Sequence, residues 1–142
     1  MTLTRTLPAL LLVLSTLLAP FGVALAEPTP FVVQLTRSGE NFGHRRVMMQ
    51  MDKILDDLGE DRVRFVVVAY EEGIHALVAD NPATSQLVTK LANRGVKFRA
   101  CRISMAAWEL DEEAFPLEVE FVPAGAPEVI RLQLEGHRYW RP

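Results

Sequence analysis

Residues 62–70, "RVRFVVVAY", decide the fold. After a basic start, Phe65 to Ala69 form an unbroken apolar run with no polar face. The run is too short for a helix, and two apolar faces mean a strand covered on both sides. Strands of that kind belong to parallel sheets flanked by helices. Upstream, "FVVQLT" (31–36) is a shorter strand of the same type, followed by the turn-rich "RSGENFG". Val47, Met48, Met51, Ile54, Leu55 and Leu58 then make the apolar stripe of an amphipathic helix, with Gly59 as its stop. Downstream of "EEG" (71–73), a helix is expected near Ile74–Ala79. Asn81 caps the next, with Pro82 in its first position, and that helix runs to about Arg94 before Gly95 ends it.

"VKFRAC" (96–101) is a third strand, in which Val96, Phe98 and Ala100 alternate with Lys97, Arg99 and Cys101. A helix follows near Ser104–Leu110, then a strand in "LEVEFVP" (117–123) and a helix over Pro127–Glu135 closed by Gly136. "HRYW" (137–140) supplies a short last strand. Strands alternate with helices without hairpin signals, so the class is α/β, a mainly parallel sheet with helices on both faces.

The first 26 residues, "MTLTRTLPALLLVLSTLLAPFGVALA", have a single basic residue, a leucine-rich stretch and a small-residue ending. That is the layout of a secretory signal peptide, with cleavage expected between Ala26 and Glu27. The competing reading, a retained anchor, meets an apolar run shorter than the roughly 20 residues a bilayer requires, interrupted at Pro8 and Pro20. The expected location is periplasmic or secreted, without membrane attachment after cleavage. Residues 27–30, "EPTP", read as a disordered tether and residues 31–142 as one domain. All eighteen acidic residues and fourteen of the fifteen Lys and Arg follow residue 26, giving that part a formal charge of −4. Nucleic-acid binding leans on clustered positive charge, so nucleic acid is excluded as a partner.

Open parallel sheets gather their ligands at the carboxyl ends of the strands. Here those ends deliver Arg37–Asn41, Tyr70–His75, Cys101–Ser104 and Pro123–Gly125. Cys101 is the only cysteine, so no internal disulfide forms. A thiol just ahead of a helix faces free backbone N–H groups and the positive end of the helix dipole, which favour the nucleophilic thiolate. The same residue is equally readable as a small buried hydrophobe. Tyr70, His75 and Ser104 are the candidate neighbours that position or polarise it. His44, His75 and His137 are too far apart in sequence for a close metal-ligand spacing, and Met48 and Met51 fit the helix stripe, so no metal site is expected. Neither a dinucleotide nor a Walker motif is present, nor G-x-S-x-G, and no cofactor is expected.

Three stretches, "FVVVAYEEGIHALVADNP", "LANRGVKFRAC" and "VEFVPAGAPEVIRLQLEGHRYWRP", make the chain resemble the DsrE/DsrF-like sulfur-relay superfamily in its exported single-domain form. The resemblance implies a three-layer α/β/α fold with a five-stranded parallel sheet, assembled into a trimer or hexamer. It would make Cys101 the persulfide-carrying residue, in a sulfurtransferase or a carrier without turnover of its own, with a sulfur donor or acceptor protein as partner. It would also leave the Lys97/Arg99 face for another subunit to cover. Similar proteins often carry an Asn-Thr pair two residues after the cysteine, where this chain has Ile103 and Ser104. Two other readings stay open: a metal, haem or small-thiol binding protein using Cys101, and an oligomeric interaction module whose cysteine is structural.

Overall fold

The computed structural model describes residues 26–142. The expected leader, apart from Ala26, lies outside the described residues. Five strands form one sheet: β1 (Thr29–Leu35), β2 (Val63–Ala69), β3 (Lys97–Cys101), β4 (Val119–Val122) and β5 (Arg138–Trp140). Their spatial order is β4-β3-β2-β1-β5 and every pairing is parallel. Helices α1 (Gly43–Leu58), α2 (Ser85–Asn93), α3 (Arg102–Ala107) and α4 (Gly125–Leu134) connect them.

The chain steps outward from β1 to β4, and α4 then carries it back across the sheet to place β5 beyond β1. Parallel crossovers are right-handed, so reversing direction moves the connecting helix to the opposite face. The side chains follow that rule. Val33, Leu35, Phe65, Val67, Ala69, Phe98 and Ala100 pack beneath Val47, Met48, Met51 and Leu55 of α1, Val88 and Leu91 of α2, and Met105 of α3. On the other face Val32, Val66 and Val68 meet Val129 and Leu132 of α4, with Tyr70 packed against them. Three layers result, with one outer layer a single helix. The unbroken β2 run is thus buried on both sides, and Met48 and Met51 are core residues, each such burial contributing about 1.5–3 kcal/mol.

Several boundaries differ from the sequence reading. Half of the expected tether is strand: the Thr29 N–H donates to the Arg62 carbonyl at 2.9 Å, and Thr29 and Pro30 stand in register with Val63 and Arg64. Pro30 is accommodated because β5 pairs only with Phe31 to Val33, leaving β1 an edge at the proline. The helix expected near Ile74–Ala79 is instead a run of 3-10 turns over Glu71–Leu77. That run presses on the end of β1, so that a Cβ added at Gly73 would lie 2.0 Å from the Leu35 carbonyl oxygen. The second helix starts at Ser85, since the Asn81 carboxamide accepts the Ala83 N–H at 2.9 Å and caps a turn rather than a helix. The third helix occupies Arg102–Ala107, earlier than expected, and the chain leaves it through Glu109 in the left-handed region. Gly59, Gly95 and Gly136 follow helices with positive φ, as expected of helix stops.

Candidate functional site

Cys101 ends β3 with its side chain on the α4 face, beside Val122 of β4, and is only 3% exposed. Its sulfur accepts a hydrogen bond from the Gly125 N–H at 3.2 Å. The expected donor was the helix directly after the cysteine. The structure corrects this: α3 begins at Arg102 but receives no cap bond from Cys101, and the N–H on the sulfur belongs to the first residue of α4. A backbone N–H at the start of a ten-residue helix, with the dipole's positive end behind it, stabilises negative charge on the atom it meets.

The neighbouring arginines are committed elsewhere. Arg99, on the same face as Cys101, bonds the carboxylates of Glu120, at 3.1 Å, and Glu128. Arg131 grips both oxygens of Glu128, at 2.7 and 2.9 Å. The Arg131 guanidinium, helped by Arg99 and opposed by burial, holds the Glu128 carboxyl below its ordinary range. The Arg99 side of β3 is therefore covered by α4 of the same chain. Arg102 pairs with Glu112 at 2.6 Å and lies over the Phe121 ring.

Tyr70, the residue after β2, lies on the other side of Gly125. A Cβ added at Gly125 would sit 2.6 Å from ring carbons of Tyr70 and 2.7 Å from its Cβ, so the base of the Tyr70 side chain packs against the backbone that addresses the sulfur. The side-chain amide of Gln34 donates to the Tyr70 hydroxyl, and the Tyr139 hydroxyl donates to the Gln34 carbonyl oxygen. Burial pushes the Tyr70 phenol up from its ordinary range, with the Gln34 bond opposing.

Ser104 and His75 stand apart from the sulfur. The Ser104 hydroxyl accepts the Glu71 N–H at 2.8 Å, tying the first turn of α3 to a residue with φ of 51°. Its role is to hold that bend. The His75 ring meets Trp108 edge-on with centroids 4.7 Å apart. It lines an open depression of about 590 Å³ with Val78, Asn81, Leu110 and Glu113, on the α3 side of the sheet rather than beneath α4. His44, buried, donates from Nε2 to the Arg37 carbonyl at 2.7 Å, and burial lowers its pKa. Among the described residues no group of three or more His, Cys, Asp or Glu is placed to hold a metal ion.

Gly125 falls in the Pro123–Gly125 segment expected at the sheet's carboxyl edge, without a role of its own; Gln34 and Tyr139 lie outside the expected segments. Gln34 carried a signal, being the one polar side chain within "FVVQL". Gly125 carried a fainter one, a glycine in "VPAGAP" where a helix was about to begin.

A parallel α/β domain with a helix N-terminus aimed at a buried thiol on the sheet's carboxyl edge defines the class. The chain belongs to the DsrE/DsrF-like family, whose model matches residues 31–141. Membership suggests a sulfur-relay-related role, and proteins of this family can work in such relays with partners. The fold is similar to that of a protein of unknown function from Methanobacterium thermoautotrophicum. The TM-score is 0.70 at 27% identity, over 82% of this chain and 100% of that one. No curated protein matches.

Proposed function

We propose that Cys101 carries sulfur as a persulfide in a relay outside the cytoplasm. The observation that supports this most is the Gly125 N–H directed at its sulfur. The Cys101 thiolate attacks the outer sulfur of a donor persulfide. A bond forms from Sγ to that sulfur, the donor S–S bond breaks, and the donor leaves as a thiolate that takes up the proton from solvent. The electron count of the pair is unchanged, and delivery to an acceptor thiolate is the same exchange in reverse. Gly125 stabilises charge on the sulfur, Tyr70 holds Gly125, and Ser104 fixes the loop from which Tyr70 projects. His75 has no part in this step. The location rests on the leader expected over residues 1–26, and a trimer or hexamer rests on the family resemblance alone.

A second reading is favoured by the 3% exposure of Cys101: a structural thiol, buried as a small hydrophobe. Intact mass after incubation with inorganic polysulfide separates the two. A reductant-sensitive gain of about 32 mass units, one sulfur atom, absent in Cys101→Ser, supports the carrier. A gain that survives Cys101→Ser, or a thiol that reacts only once the protein is unfolded, overturns it.

A further inference from the structure

A donor cannot reach the thiol of a residue that is only 3% exposed unless something moves, and the contacts around Gly125 identify what. The Cys101 sulfur meets the start of α4, where two contacts fall on one residue. The Gly125 N–H bonds the sulfur, and the Gly125 Cα rests on the Tyr70 ring. Tyr70 in turn is fixed at its hydroxyl by Gln34, whose carbonyl oxygen is bonded by Tyr139. Tyr139 is 46% exposed, on the three-residue edge strand β5, which pairs with β1 and no other strand. A chain of contacts therefore runs from the exposed sheet edge, through Gln34 and Tyr70, to the backbone over the thiol. Behind Tyr70 the backbone turns through Glu71 in the left-handed region, a strained conformation for a non-glycine residue.

We propose that Tyr70 is the positioning residue for Cys101, and that Tyr139, acting through Gln34, is the latch that controls access to the thiol. Breaking the Tyr139 bond would free Gln34, let the Tyr70 ring move from Gly125 and uncover the sulfur. This rests on Cys101 as the working thiol and adds what admits the donor to it.

The test is the rate of Cys101 alkylation by iodoacetamide in the intact chain, read by mass, at urea concentrations well below unfolding. With one cysteine the site of labelling is unambiguous. A local opening gives a rate nearly independent of urea, whereas global unfolding gives the full denaturant slope. Tyr139→Phe and Tyr70→Phe, which keep the rings and lose the hydroxyls, each raise the rate about fivefold, the worth of one neutral hydrogen bond. Together they raise it by less than the product, because they break one chain. Labelling in Tyr139→Phe at the wild-type rate, or a wild-type rate with the slope of global unfolding, overturns the latch. Alkylation needs no sulfur donor, so the two proposals fail separately. A latch that behaves as stated without a sulfur adduct leaves the carrier overturned, and an adduct on Cys101 indifferent to Tyr139 leaves the latch overturned.

Discussion

The N–H of Gly125 reaches the sulfur of Cys101 at 3.2 Å, and the Cα of the same glycine lies on the ring of Tyr70. The residue is a glycine because the ring stands where any Cβ would go. Gly125→Ala places that carbon 2.6 Å from the Tyr70 ring, an overpacking that costs about 1–3 kcal/mol. Urea unfolding checks the cost. Adding Tyr70→Ala removes the ring carbons but keeps the residue-70 Cβ, which the new carbon meets at 2.7 Å, so the double variant recovers only part of the loss.

Ser104 holds a strained bend. Removing its hydroxyl in Ser104→Ala leaves the Glu71 N–H without its 2.8 Å partner and lowers stability by about 1–2 kcal/mol. Glu71→Gly acts in the opposite direction, relieving the positive φ by up to about 1 kcal/mol. Urea midpoints of the two variants should fall on opposite sides of wild type. If Ser104→Ala matches wild type, the bend is held by something else.

Glu128 links stability to acid. Its folded carboxyl is held below the ordinary 4.5, first by Arg131 and then by Arg99. A depressed carboxyl contributes stability that is complete above the unfolded value and is lost as pH falls through the folded one. Unfolding midpoints should therefore decline below about pH 4.5. Glu128→Gln should be weaker at pH 7 by about 1–2 kcal/mol and show a flatter acid limb. An unchanged limb in the variant would place the acid sensitivity in other carboxylates.

His44 acts in a higher window. Burial lowers its pKa more than the bond to the Arg37 carbonyl raises it, so the folded protein holds the neutral ring. As pH falls through the ordinary 6.5, the unfolded chain takes a proton that the folded one refuses, and stability drops until the folded value is reached. His44→Gln removes that slope. Stability measured between pH 5 and 7.5 in both proteins checks the sign, and a slope that persists in the variant assigns it elsewhere.

The elements were legible where local pattern sufficed. The β2 run showed a strand buried on both faces, and alternation in β3 put Lys97, Arg99 and Cys101 together on one side. The helix starts expected at Ile74 and Pro82 are displaced for different reasons. At Gly73 the connection is pressed on Leu35 and packing overrode propensity, whereas at Asn81 the side chain closes a local turn instead of capping the helix. Of the candidate site, Cys101 and Tyr70 were placed correctly at the sheet's carboxyl edge, because a strand's end can be read from the chain. His75 was grouped with them for the same reason, yet an edge has two sides, and its ring lies with Trp108 on the far one.

The sequence by itself determined that strands alternate with helices, which residues share a strand face, and that one thiol stands at a strand end. These follow from periods of 2 and 3.6, which are local properties of a chain. Only the tertiary structure decided which helix serves that thiol. The handedness of parallel crossovers sends α4 back across the opposite face, and that return brings Gly125 onto Cys101 and sets β5, with Tyr139, beside Gln34. Contacts between residues so distant in sequence are fixed by topology and packing, and no local period encodes them.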